Sequence, residues 1–334
     1  MLGHSNVKAK IICLCLTIVV LLGACSGQES NGATEDGEFN DSVKLVLNWF
    51  PKSQHGGAYA AQENGIYEEN GLDVTLEPGG PQVSPIQIVA SGKAEFGLAH
   101  ADQLVMARNE GIELVSVAAT MQGSPQALMF HEGHGVEDFS DLNGRQAFIQ
   151  PGIPYWQYLK NSYDLSGVEE LSYSGEYSIF MQDPEVVSQS FVTSEPYFME
   201  LEGIATETLL ISESGYDPYN IVLFTTKEYI EENEETVKRF VDSYLDGWYS
   251  YQDSPDTIHE VINEANPEIE LEALEFEEET QREFIFGGEA EQNGVGYMTE
   301  ERWQLLIDQL LELEMLDEEF DPNEIFTTEF LPEN

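Results

Sequence analysis

Val43-Lys44-Leu45-Val46-Leu47-Asn48-Trp49-Phe50-Pro51-Lys52-Ser53-Gln54-His55-Gly56-Gly57-Ala58-Tyr59 is the stretch on which the fold turns. Val43 to Leu47 is a short apolar run that reads as a strand, and a helical pattern begins after the proline and the glycine pair. A strand that ends in aromatics and polar groups and then turns into a helix has the build of a ligand-binding βα corner. The plain alternative is an ordinary strand-to-helix turn with a core tryptophan, and the corner alone does not separate the two.

Outward from this corner the pattern repeats. His55 to Asn70 reads as a helix interrupted near Gly65, and Leu72 to Leu76 alternates as a strand. A helix at Pro85 to Ser91, a strand at Ala94 to Ala99, a helix at Asp102 to Asn109 and a strand at Ile112 to Ala119 follow. The βα rhythm restarts near residue 131. Strands are expected at Gln126 to Phe130, Gln146 to Ile149, Ser190 to Thr193 and Ile221 to Thr225. Helices are expected at Asp138 to Asn143, Tyr155 to Tyr163, Asp183 to Ser188 and Glu195 to Glu202. Short glycine-containing connections between alternating elements predict an α/β fold with parallel strands. From Lys227 onward the chain reads as helical. Glu231 to Tyr251 carries Val237, Phe240, Val241, Tyr244, Leu245 and Trp248 on one stripe, and Glu300 to Leu313 carries Trp303, Leu306, Ile307 and Leu310, with Thr299 as N-cap. The acid run Glu275 to Glu279 reads as a solvated helix face.

Residues 1–24 combine Lys8 and Lys10, an apolar run and small residues before Cys25, which predicts an export signal too short to span a bilayer. The residues around Cys25 resemble a bacterial lipobox, so Cys25 is the expected lipidation site and 25–42 a lipid-anchored flexible tether. Cys13 and Cys15 fall in the discarded segment, so the remaining chain forms no internal disulfide. No Cys/His cluster has metal-ligand spacing, and neither a metal nor a cofactor is expected. The 334 residues carry 63 acids against 13 Lys and Arg, a net charge of −50. Loss of Lys8 and Lys10 with the signal would leave eleven basic residues and about −52. That balance excludes nucleic acid as a partner, because phosphate binding needs clustered cations. It fits a solvated surface in a salty or alkaline exterior.

Five strand ends bear polar or aromatic loops: Asn48-Trp49-Phe50-Pro51, His100-Ala101-Asp102, Gln122-Gly123-Ser124, Tyr155-Trp156 after Pro154, and Glu195-Pro196-Tyr197. In an open α/β sheet such ends face one crevice. The candidate ligand-binding residues are therefore Asn48, Trp49, Phe50, His55, Tyr59, His100, Asp102, Gln122, Ser124, Tyr155, Trp156, Glu195 and Tyr197. Glu195 has an ordinary reading as well, since an acid in a first helical turn serves the helix dipole. No G-x-S-x-G elbow, phosphate loop or dinucleotide fingerprint is present, and a Ser53/His55/Asp102 set has spacing but no geometry to support catalysis.

Asn48-Trp49-Phe50-Pro51 with His55, Gly57 and Tyr59, the run Ala61 to Val74, Ser91-Gly92-Lys93-Ala94-Glu95-Phe96-Gly97 and Asp141-Leu142-Asn143-Gly144 resemble solute-binding proteins of ABC importers. More narrowly, they resemble the family that binds thiamine pyrimidine precursors, whose relatives take up sulfonates, nitrate or riboflavin. The resemblance covers Val43 to Phe224 and extends only loosely into the helical tail. It implies a type 2 periplasmic-binding-protein fold, two α/β lobes closing like a hinge on a ligand. Lobe one would be 43–129 plus 222–334 and lobe two 130–221, with crossings near Phe130 and Ile221. It also implies a monomeric, membrane-anchored receptor that hands its ligand to an ABC permease. One branch of the family is an enzyme that makes the pyrimidine with a sacrificed histidine and a cysteine-rich motif. The absence of any cysteine after Cys25 argues against that branch.

The candidate loops are aromatic and acidic, with Lys52 as their nearby cation. A sulfonate or nitrate would meet Asp102 and Glu195, whereas an amino-bearing heteroaromatic would stack on rings and donate to a carboxylate. The expected ligand is a thiamine pyrimidine precursor, with riboflavin as the alternative, a sulfonate or nitrate next, and a structural or adhesive lipoprotein as the non-binding reading.

Overall fold

The computed structural model describes residues 41–332. The export signal, Cys25 and most of the tether lie outside them. Strand β1 opens at Asp41 and runs to Val46, so residues 41 and 42, expected in the tether, already belong to the sheet. Asp41 is held there by an ion pair with Arg239 and by the Thr236 hydroxyl, which donates to its carboxylate.

Two five-stranded sheets form the body. The first runs β2 (Leu72–Glu77), β1, β3 (Phe96–Ala99), β10 (Val222–Thr226) and β4 (Leu114–Ala119). The second runs β7 (Glu169–Ser172), β6 (Gln146–Ile149), β8 (Val187–Phe191), β5 (Gln126–His131) and β9 (Thr206–Leu210). The sheets are mixed rather than all parallel: β10 is antiparallel to β3 and β4, and β5 is antiparallel to β8 and β9. The reason lies in the crossings. A chain that leaves β4 at its C-terminal end and passes straight to the other sheet starts its new strand at that same end, opposed to the strands wound through helices. The change of sheet falls between Ala119 and Gln126, and again between Leu210 and Val222, so β5 lies in the second sheet although 126–129 was expected in the first lobe.

Most expected elements are present within one or two residues. The exceptions are instructive. Asp183 to Ser188 is not a helix: the helix is Ser178–Gln182, and Asp183 precedes Pro184, which disfavours helical backbone before it. Val187 then begins β8. Strands β7 and β9 were not expected; β7 has Leu171 as its one apolar residue and lies at the sheet edge, where alternation is not enforced.

The first lobe's core forms where the helix Glu234–Asp253 packs on the helix Gly56–Glu63 and the sheet. Val237, Phe240, Val241, Tyr244, Leu245 and Trp248 are all buried there, the stripe that helical spacing predicts. The helix Glu300–Glu312 buries Trp303, Leu306, Ile307 and Leu310, and the Thr299 hydroxyl accepts from the Arg302 N–H at 3.3 Å. The acid run behaves differently. Glu277 and Glu278 in the helix Leu271–Phe286 are each only 3% exposed, so half of that expected solvated face points inward. Glu277 accepts the Ser53 N–H at 3.0 Å, and Glu278 pairs with Arg282.

Candidate functional site

The loop after β1 is built on a buried polar network. His55 is completely buried; its Nδ1 accepts the Lys52 N–H at 3.3 Å, which leaves Nε2 to donate to Asn48 Oδ1 at 2.8 Å. Burial first, and the Lys52 ammonium second, push the His55 pKa from 6.5 down to about 3, so the ring is neutral. Ser53 is tied on the other side: its hydroxyl donates to the Leu274 carbonyl and its carbonyl accepts from Gln281 Nε2. Held at both ends, the loop presents Trp49 and Phe50 to solvent, 39% and 46% exposed, with their rings edge to face at 5.6 Å. Gly79 donates its N–H to the Trp49 carbonyl and approaches so closely that a Cβ there would sit 2.2 Å from the Leu47 carbonyl oxygen. The rings are thus displayed on a rigid base.

The loop after β8 supplies the opposite wall. Glu195 opens the helix Glu195–Leu201 and its Oε2 accepts the Phe191 N–H at 2.7 Å. The Tyr177 hydroxyl, bonded to that of Tyr173, acts on the same carboxylate. Burial raises the Glu195 pKa above the usual carboxylate range despite the Phe191 amide, the Lys52 charge and the Tyr177 hydroxyl, which all oppose it. Lys52 Nζ donates to Ser194 Oγ at 3.2 Å, which brings the loop of Trp49 and the loop of Glu195 together across the lobes. Tyr173 and Tyr177 were not among the expected residues. Their only signal is the i, i+4 pair of tyrosines beyond Leu171, in a stretch with no apolar rhythm to assign.

The other expected residues occupy varied places. Tyr59 is 5% exposed in the first core, where burial pushes its phenol up to about 12. Trp156 is fully buried in the second lobe, and Tyr155 is buried with its hydroxyl donating to Gln189 at 3.4 Å. Gln122 and Ser124 are buried in the crossing between the lobes. The Gln122 side chain donates to the Ala119 and Tyr297 carbonyls, and Ser124 Oγ accepts from Asn220 Nδ2 and the Gln126 N–H. His100 sits at the start of the helix Ala101–Asn109 with its ring against the Asn220 carbonyl, and Tyr216 donates to Asp102 at 3.4 Å. Burial raises the Asp102 pKa, with His100 as the largest opposing influence. Tyr197 stacks on Phe276 of the tail helix. A broad depression of about 970 Å³ lies elsewhere, at the opposite end of the first sheet, lined by Glu113, Val115 and Lys227 among others.

Carboxylate, phenols and exposed rings on two facing lobes suit recognition of a flat solute with donor groups. The family model described as NMT1/THI5 like matches residues 52–258. The chain belongs to this family. Within the NMT1/THI5-like family's wider relatives, the chain is 28% identical over 282 residues to the formylaminopyrimidine-binding protein of Halalkalibacterium halodurans, covering 79% of this chain and 84% of that one. It is 23% identical over 303 residues to the 4-amino-5-hydroxymethyl-2-methylpyrimidine phosphate synthase of Legionella pneumophila, covering 87% and 92%. The periplasmic aliphatic sulphonate binding protein SsuA of Escherichia coli superposes with a TM-score of 0.66 at 12% identity, over 85% of this chain and 91% of that one. That likeness shows the two-lobed periplasmic-binding-protein fold for this NMT1/THI5-like chain.

Proposed function

We propose that this protein is the solute-binding component of an ABC importer that closes on a thiamine pyrimidine precursor. The observation that carries the reading is the pairing of exposed Trp49 and Phe50 with Glu195 on the loop joined to theirs through Lys52 and Ser194. A pyrimidine ring stacks on Trp49, and its exocyclic amine donates to Glu195. The name of the Halalkalibacterium relative supports the same class of ligand. Export and lipid attachment at Cys25, a monomeric state and delivery to a permease belong to the proposal. Among the described residues, no helix is long and apolar enough to cross a membrane.

The synthase relative raises an enzyme reading. The three cysteines, Cys13, Cys15 and Cys25, all precede β1, so the folded body has no thiol motif. His55 is fully committed to Asn48 and Lys52 and is not offered to a ligand. Both favour binding without chemistry.

Tryptophan-fluorescence titration with formylaminopyrimidine, riboflavin and taurine tests the reading. Saturable binding of the pyrimidine, recovered chemically unchanged after unfolding, is expected; a response to taurine alone, or conversion of the pyrimidine, would overturn it. Trp49→Ala should weaken binding about tenfold, from a lost stack of about 1 kcal/mol plus lost apolar contact. Glu195→Ala should weaken it about thirtyfold, since a hydrogen bond to a charged group is worth about 2 kcal/mol. Because the ionised carboxylate is the acceptor and burial raises its pKa, wild-type affinity should fall as the pH drops through that raised value. Unchanged affinity in Glu195→Ala removes this residue from the site.

A further inference from the structure

The helix Leu271–Phe286 touches the molecule at two places that bear on closure. Near its end, the Phe284 carbonyl accepts the Gln122 N–H at 2.7 Å, in the crossing between β4 and β5. Two turns earlier, Phe276 stacks on Tyr197 of the second lobe, with centroids 5.1 Å apart and planes at 28°. The two contacts are eight residues apart, about 12 Å along the helix axis. One rigid rod therefore links the hinge to the facing lobe. Ala273, Leu274 and Ile285 fix that rod in the first core, and Tyr197, although it follows β8 of the second sheet, packs against the same core.

Charge completes the contact. Glu277, next to Phe276, and Glu195, two residues before Tyr197, lie on opposite lobes, and Glu195 disfavours the ionisation of Glu277 less than Lys52 favours it. Lys52 acts on both carboxylates and bonds Ser194 directly. Only about 10 Å³ of free space remains among Lys52, Ser194, Tyr197, Phe276 and Glu277, at the lower bound of what one water fills. The groups are closely packed.

We propose that the helix Leu271–Phe286 is a strut that clasps the second lobe through Phe276–Tyr197 and Lys52–Ser194, so that the lobes rest in contact without ligand. Lys52 is the cation that lets two acids meet across the lobes. The clasp deepens the solute-binding reading, because ligand affinity scales with the fraction of protein already in the binding-competent state. It does not depend on which solute is bound.

Small-angle X-ray scattering of the ligand-free full chain tests it. Phe276→Ala and Lys52→Met should each shift the curve to a larger radius of gyration, while far-ultraviolet circular dichroism stays that of wild type. Lys52→Met leaves Glu195 and Glu277 opposed, so 0.5 M salt or a second change, Glu277→Gln, should return the curve toward wild type. Formylaminopyrimidine affinity should fall about fivefold in each single variant, in step with the lost closed fraction. If Phe276→Ala fails to fold, Lys52→Met decides. Scattering unchanged in Lys52→Met overturns the clasp. Failure of the binding panel would leave the scattering difference in place, so the two readings fail separately.

Discussion

Between pH 6.5 and about 3, His55 alone is expected to remove about 1.4 kcal/mol of stability per pH unit. The sign follows from proton binding. In the unfolded chain the imidazole takes up its proton near 6.5, whereas in the fold burial and Lys52 hold it neutral down to about 3. Across that window the unfolded state binds more protons, so stability falls as pH falls. The buried carboxyls of Asp102 and Glu277 act in the opposite sense, because their raised pKa values favour the fold as they protonate. A difference experiment isolates the histidine. Denaturant unfolding of wild type and His55→Gln should show a stability gap at pH 7 that narrows by about 2 kcal/mol at pH 5. An identical gap at both pH values would mean that the ring is not held neutral. The same network carries Asn48 and seats Trp49, so protonating His55 should also release the loop that bears Trp49.

His55 marks how far the sequence could be read. Its position after Asn48-Trp49-Phe50-Pro51 placed it in a strand-to-helix corner, and the corner is there. Whether the ring faces ligand or core depends on what covers it, and that cover, with Leu274, Glu277 and Gln281 around Ser53, arrives from more than 200 residues away. Tyr197 is a similar case: the loop was legible, but the partner that claims its ring, Phe276, is on the tail helix. Periodicity identified the helices whose stripes face one core, because a stripe is a local pattern. It missed β7 and β9 because edge strands need no alternating face, and the crossing that the resemblance put near Phe130 falls earlier because β5 reads like any other buried strand whichever sheet receives it.

Gly247→Ala is expected to destabilise the fold by about 2–3 kcal/mol, even though alanine is the better helix former by about 1 kcal/mol. A Cβ at Gly247 would stand 2.1 Å from the Gly57 carbonyl oxygen and 2.7 Å from the Ala61 Cβ. Both obstacles belong to the helix Gly56–Glu63, and the nearer is backbone, so no rotamer change relieves it. The clash is mutual, since a Cβ at Gly57 would meet the Trp248 indole at 2.5 Å. The two helices therefore cross at glycines, and the long helix must move outward to accept a methyl group. For a chain of this size the expected loss corresponds to a fall in Tm of about 3–5 °C. The displacement reaches the site as well: Gly56 and Gly57 follow His55 directly, so moving their helix shifts the ring that holds Asn48. Ligand affinity should accordingly drop along with Tm. A variant whose Tm rises, as helix propensity alone would dictate, would show that the crossing has room and that the loop bearing Trp49 is not seated by this contact.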